Sequence, residues 1–201
     1  MQSIYSHTLF GLVWFNLPLG VLLTFIFHNL VRDPLIRNLP DCLRSRFSSY
    51  IGFRWNAYFW KNWKIVAVSV LVGAASHLLW DSFTHVDGFF IQRITALEQA
   101  VVTPFGSVPI LKILQHTSTL LGAVVIALVV FKLPAVKNEV SQININYWLI
   151  FTGITLAIVG IRLITGLELY QYGNVVVTTI SAGLISLIIT PVFAENKPKP
   201  A

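Results

Sequence analysis

Two histidines and an aspartate stand four residues apart in an otherwise apolar stretch: His77, Asp81 and His85. On a helix this spacing stacks them one turn above another. Ionisable groups in a bilayer are costly and by default mark a functional site. Two residues at i and i+4 can hold one metal ion. His77 and His85 are eight apart, roughly 12 Å along a regular helix. Both reach one ion only if the helix ends before His85, a stop that Asp87-Gly88 favours. The pattern makes His77 and Asp81 metal ligands, with a third nitrogen from His7 or His116 on a neighbouring helix. His85 is then a further ligand, a hydrogen-bonding support or a general base. Thr8, Ser76, Thr84, Gln115 and Thr117 are candidates to hold the imidazoles in place. Nitrogen and carboxylate ligands without thiolate suit Zn²⁺, Mn²⁺ or Fe²⁺, and an open coordination position would hold a water of lowered pKa for hydrolysis. Arg162 either snorkels to headgroups or clamps a phosphate or carboxylate above the metal, which makes it a second catalytic candidate beside His85. Glu168 faces water or pairs with Arg162.

The elements that must position these groups follow from composition. The 201 residues are 55% hydrophobic and only 11% charged, against roughly 25% charged in a soluble domain. Long apolar runs place the chain in the membrane class. The expected fold is all-α, a polytopic transmembrane helical bundle of about five spans plus interfacial helices. The spans are read at residues 9–31, 63–84, 110–133, 147–165 and 175–193. Pro18 and Asn16 predict a kink in the first. Residues 1–193 form one domain and residues 194–201 a disordered tail. The net charge of +6 gathers between spans, which points to orientation and anionic lipid contact, and excludes a nucleic-acid partner. The single Cys42 excludes an internal disulfide and a cysteine-based metal cage.

Alternate connections are rich in basic residues. Arg32, Arg37, Arg44, Arg46, Arg54 and Lys61 follow the first span, Lys132 and Lys137 the third, and Lys197 and Lys199 the fifth. The positive-inside rule puts these in the cytoplasm, with the amino terminus outside. His7, His77, Asp81, His85, His116, Arg162 and Glu168 then fall near one outer level, and His28 near the inner end. Residues 32–62 form a basic and aromatic loop suited to the headgroup layer, with residues 43–61 expected as an interfacial helix or hairpin. Residues 89–102, with Arg93 and Glu98, are expected as an ordinary surface helix, the alternative being an amphipathic helix lying over the site.

Three motifs occur in order: residues 5–9 (Tyr-Ser-His-Thr-Leu), residues 73–85 around Ser76, His77, Asp81 and Thr84, and residues 114–122 around His116. Together they resemble a bacterial membrane family, the domain of unknown function 4184 family, over most of the chain. Members of that family begin with a further segment holding an early histidine and a Pro-Asp pair; this sequence starts just before Tyr5 with neither, so if that segment supplies a ligand the expectation is an incomplete, inactive copy or a mis-called start. A weaker resemblance is to membrane-bound metal-dependent hydrolases of the bacterial inner membrane. These carry Thr-His-Ser early and Ser-His-x-x-x-Asp-x-x-Thr later; Ser76, His77, Asp81 and Thr84 match the second element, and Ser6-His7-Thr8 is similar to the first. The resemblance implies metal ligation by His7, His77 and Asp81. The function expected is that of a metal-dependent hydrolase in the bacterial inner membrane, acting on a lipid or envelope phosphoester. One alternative is a non-catalytic membrane protein whose polar cluster fixes helix packing. A second is an ion or proton carrier, against which the inner halves of the spans offer few polar partners.

Overall fold

The computed structural model describes residues 8–104, 106–136 and 143–194. Within them the regular elements are helices apart from one short hairpin. Five helices are long and apolar enough to cross a membrane: α1 (Leu12–Asn38), α3 (Trp55–Thr84), α4 (Ile110–Lys132), α5 (Ile145–Ile164) and α6 (Tyr172–Phe193). At 1.5 Å per residue even α5, the shortest, reaches ~30 Å, the thickness of the hydrocarbon. The protein is an integral membrane protein.

A single turn, Leu9–Gly11, precedes α1, and the Thr8 hydroxyl caps it by accepting from the Gly11 N–H at 2.8 Å. The break expected near Pro18 takes the form of a π turn at Leu12–Asn16; a second lies at Phe27–Val31. A π turn absorbs the ladder bond that proline cannot donate without ending the helix. After α1 come α2 (Asp41–Phe47) and a 3₁₀ turn, Ser48–Tyr50. The backbone of α3 leaves helical geometry at Asn62 (φ −126°, ψ 23°), where its side-chain amide donates to the Tyr58 carbonyl at 3.1 Å. The basic and aromatic residues 55–61 form a helical segment set off from the rest of α3 by the kink at Asn62, the helix and not the hairpin of the two forms expected for residues 43–61, and the span proper begins after the kink.

Residues 89–102 do not form the expected surface helix. They make a series of turns, one helical turn at Thr95–Glu98, and the start of strand β1 (Ala100–Thr103), which pairs antiparallel with β2 (Gly106–Pro109), Ala100 opposite Pro109 and Thr103 opposite Gly106. The β-branched run Val101-Val102-Thr103 favours strand, and Pro104 bars helix for the residue before it.

The contacts gather into two compact units, residues 1–22 with 56–133, and residues 23–55 with 134–201. In the first unit Gly20 of α1 leaves room for Val70 of α3, and Ile91 and Leu111 are buried. The second is held by α5 and α6, whose facing surface carries the small residues Ala182, Ser186 and Thr190, all fully buried. Small residues let helix backbones approach closely, and Thr155 donates to Ser186 Oγ across the contact at 2.9 Å. Asn38, at the end of α1, accepts from the Asn144 N–H at 3.0 Å through Oδ1 and from Trp148 Nε1 at 2.8 Å through its carbonyl. His28 is built into this unit's packing: its ring stacks on Trp55 at 4.1 Å and its Nδ1 lies 3.2 Å from Arg32. Arg32 also donates to Asp33 Oδ1 at 2.7 Å and to the Phe53 carbonyl at 2.9 Å, which satisfies a buried guanidinium.

Candidate functional site

The carboxyl-terminal end of α3 carries the polar row. Its sequence keeps helical periodicity through Thr84, and the helix stops there because Asp87-Gly88 cannot extend it. His85 is the first residue beyond the helix, yet its N–H still bonds the Asp81 carbonyl at 3.0 Å, so its side chain stays in line with the turn below. Asp81 therefore stands between two imidazoles. Its Oδ2 is 3.3 Å from His77 Nε2 and its Oδ1 is 3.6 Å from His85 Nδ1. The carboxylate is shielded, at 15% exposure, while His77 is 71% and His85 42% exposed. Burying the acid between two flanking rings is the arrangement expected of a shared anchor, with each imidazole presenting its other edge outward.

Beside the row lies a pocket of about 200 Å³ lined by Leu78, Asp81, Ser82, His85, Asp87, Gly88 and Phe89. Its floor is the last turn of α3 and its wall is the chain folding back. The Ser82 carbonyl, freed by the end of the helix, accepts from the N–H groups of both Phe90 (3.1 Å) and Ile91 (3.4 Å). Phe90 stacks on Phe83 with centroids 4.1 Å apart. Thr84 is buried, donates to the Trp80 carbonyl at 3.2 Å, and sits 3.4 Å from His85 Nδ1.

The other predicted residues are distributed differently. His7 lies outside the described residues. His116 is on α4, exposed, and makes no hydrogen bond or ion pair among the described residues. The contact from α4 toward α3 is made instead by Ser118, whose hydroxyl accepts from Trp80 Nε1 at 3.2 Å. Positions two apart on a helix do not face the same way, so a helix that presents Ser118 to Trp80 turns His116 aside. Arg162 and Glu168 belong to the other compact unit. Arg162 is exposed on the last turn of α5, and Glu168 takes hydrogen bonds from Tyr170 and Gln171, not from Arg162. Among the described residues no three His, Cys, Asp or Glu side chains are arranged around one metal position. Of the expected supports, Thr84 reaches the row, whereas Thr8 caps a helix, Ser76 bonds the Val72 carbonyl, and Gln115 accepts from Lys112. Sequence reading missed Ser82 and the turn at residues 87–91; it offered residues 89–102 as a cover over the site, but as a helix and not as a turn. Asp87-Gly88 was legible as a helix stop, but not as a fold back onto the same helix.

Neither the curated proteins nor the solved structures contain a match to this chain, so its likeness to metal-dependent hydrolases rests on the residues alone. The model of one protein family, however, matches residues 1–192, which takes in α1, α3 with its polar row, and all the later spans. The chain belongs to that family, the domain of unknown function DUF4184.

Proposed function

We propose that the chain is a hydrolase-like protein of the bacterial inner membrane that binds a divalent ion at the end of α3 and acts on a lipid or envelope phosphoester. The observation that carries this reading is the single shielded carboxylate of Asp81 with an imidazole on each oxygen, beside a pocket. Two atoms bound to one zinc at about 2.0–2.2 Å in tetrahedral geometry would be roughly 3.4 Å apart. His77 Nε2 and Asp81 Oδ2 are 3.3 Å apart, so the pair suits Zn²⁺, Mn²⁺ or Fe²⁺ with little movement. A third protein ligand has to come from elsewhere, and His7 is the proposed source. The ion would supply charge stabilisation for the phosphoester and lower the pKa of a bound water. The work of the chain itself is orientation and proton transfer. Asp81 Oδ1 stands 3.6 Å from His85 Nδ1; closing to hydrogen-bond distance would orient the ring so that Nε2 could accept a proton from the attacking water.

Magnitudes weigh against a purely structural role. Polar contacts within membrane proteins average about 0.6 kcal/mol, while an aspartate at the centre of a span costs about 2.5–3.5 kcal/mol. That cost falls toward the end of a span, where this row sits, but two weak contacts do not turn it into a gain. The packing reading has one observation in its favour: both oxygens of Asp81 already face side chains of their own stretch of chain. Metal analysis of the purified full chain separates the two. Wild type should carry about one ion per chain, and His77→Ala and Asp81→Asn should lose it while remaining folded. Wild type without stoichiometric metal, after incubation with zinc or manganese, overturns the hydrolase reading.

A further inference from the structure

Two lysines of α4 mark out the thickness of the membrane. Lys112 and Lys132 stand near the two ends of one helix, about 30 Å apart at 1.5 Å per residue, which is the depth of the hydrocarbon. Their ammonium groups suit the two headgroup layers. Helix α3 crosses the same bilayer in the opposite direction. The bond from Trp80 Nε1 to Ser118 Oγ at 3.2 Å ties one level of α3 to one level of α4. That level is about 21 Å from Lys132 along α4 and about 24 Å from Lys64 along α3. Lys64 and Lys132 therefore share one headgroup layer to within a turn of helix, and Lys112 marks the other.

On that scale the turn after α3 does not leave the membrane. Ser82 is two residues beyond Trp80 and still about 6 Å short of the level of Lys112. The N–H groups of Phe90 and Ile91 return to the Ser82 carbonyl, so the chain comes back to the depth of Ser82. What the turn presents is apolar: Val86 is 67% and Phe89 55% exposed, and Ile94 is exposed too. These side chains continue the exposed apolar surface of α3, where Leu79 lies one turn below the helix end. Arg93 lays its guanidinium over the Phe89 ring, 3.6 Å from the centroid, and donates from Nη1 to the Phe89 carbonyl at 3.0 Å. A cation on an aromatic ring is the pairing found again at the other layer, where Lys64 stands 5.8 Å from the Trp63 ring, and both kinds of side chain settle at headgroup level. The lip's one carboxylate, Asp87, lines the pocket with Asp81 and His85. We infer that residues 86–94 are a lip embedded in the membrane, at the boundary of acyl chains and headgroups, and that the pocket beside it opens into the headgroup layer and not into water. The partner of this surface is the lipid itself. The placement stands apart from the metal-dependent reading; only its consequence, a substrate held in the bilayer, rests on that reading.

The test is spin labelling of the full chain in vesicles of phosphatidylcholine and phosphatidylglycerol. In a Cys42→Ser background, Val86→Cys and Ile94→Cys each carry one nitroxide. Both positions are exposed, so the label displaces no packing. Leu128→Cys, exposed in the middle of α4, is the lipid reference, and free label in buffer is the water reference. Oxygen concentrates in lipid and a nickel chelate stays in water, so the ratio of their collision rates reports depth. The ratio at residues 86 and 94 should rise above that of free label and approach that of residue 128. A ratio equal to that of free label overturns the lip. So does a label shielded from both reagents, which would mean that protein, such as a second copy of the chain, covers this surface. Metal content plays no part in the readout: an ion-free chain with lipid-exposed labels loses the hydrolase reading and keeps the lip, while a metal-loaded chain with water-exposed labels does the reverse.

Discussion

Gly88 closes the pocket because a Cβ there would lie 2.4 Å from the Ser82 carbonyl oxygen and 2.8 Å from that of His85. Both neighbours are backbone, so neither can swing aside. Gly88→Ala should destabilise the protein by about 1–3 kcal/mol, the usual cost of overpacking, and loosen the turn that carries Phe89 and Arg93. Gly73→Ala is the matched control. That glycine lies inside α3, and a methyl group there would meet nothing within 4 Å, so alanine should stabilise by up to about 1 kcal/mol through helix propensity. Thermal unfolding in detergent reads both, and equal shifts of one sign would show that Gly88 is not confined. At this scale the sequence was informative where contacts are local. The spacing of His77, Asp81 and His85 by itself put the side chains on one face. Whether His116 and Arg162 meet the row depends on how separate helices dock, which spacing does not hold. Arg93 was readable as a charge but not as a partner of Phe89, because the turn between them depends on the end of α3.

The helices show the same division. Five apolar runs near membrane length were enough to place five spans, since hydrocarbon thickness sets the length and backbone bonding sets the helix. The ends were harder. Helix α3 starts eight residues before the expected span, because residues 55–61 are helical but amphipathic and separated from the apolar part by the break at Asn62. Residues 89–102 mixed aromatic and charged positions in a helix-like order, and the β-branched run before Pro104 prevailed. The contact of α5 with α6 supports a measurement. A double-mutant cycle with Thr155→Val and Ser186→Ala should give a coupling of about 0.6 kcal/mol, and no more than about 1.7, read from unfolding in mixed micelles. Zero coupling would mean that the hydroxyls are satisfied separately, Ser186 by the Ala182 carbonyl and Thr155 by that of Phe151.

For the chain as a whole, the asymmetry of lysine and arginine is the strongest statement about direction in the membrane. Reporter fusions at Lys137, which lies outside the described residues, should read cytoplasmic, and fusions at Gly166 should read on the opposite side. The reverse pattern would put the end of α3, with its polar row, on the cytoplasmic side and change which pool of substrates it could meet.

His77, Asp81, His85, Phe89 and Arg93 all come from one uninterrupted piece of polypeptide, the end of α3 and the turn that folds back on it. Their mutual placement owes little to how distant segments dock. Such a piece behaves as a cassette: its geometry can outlast drift elsewhere in the protein, and grafting it onto the end of an unrelated apolar helix would carry the arrangement along intact.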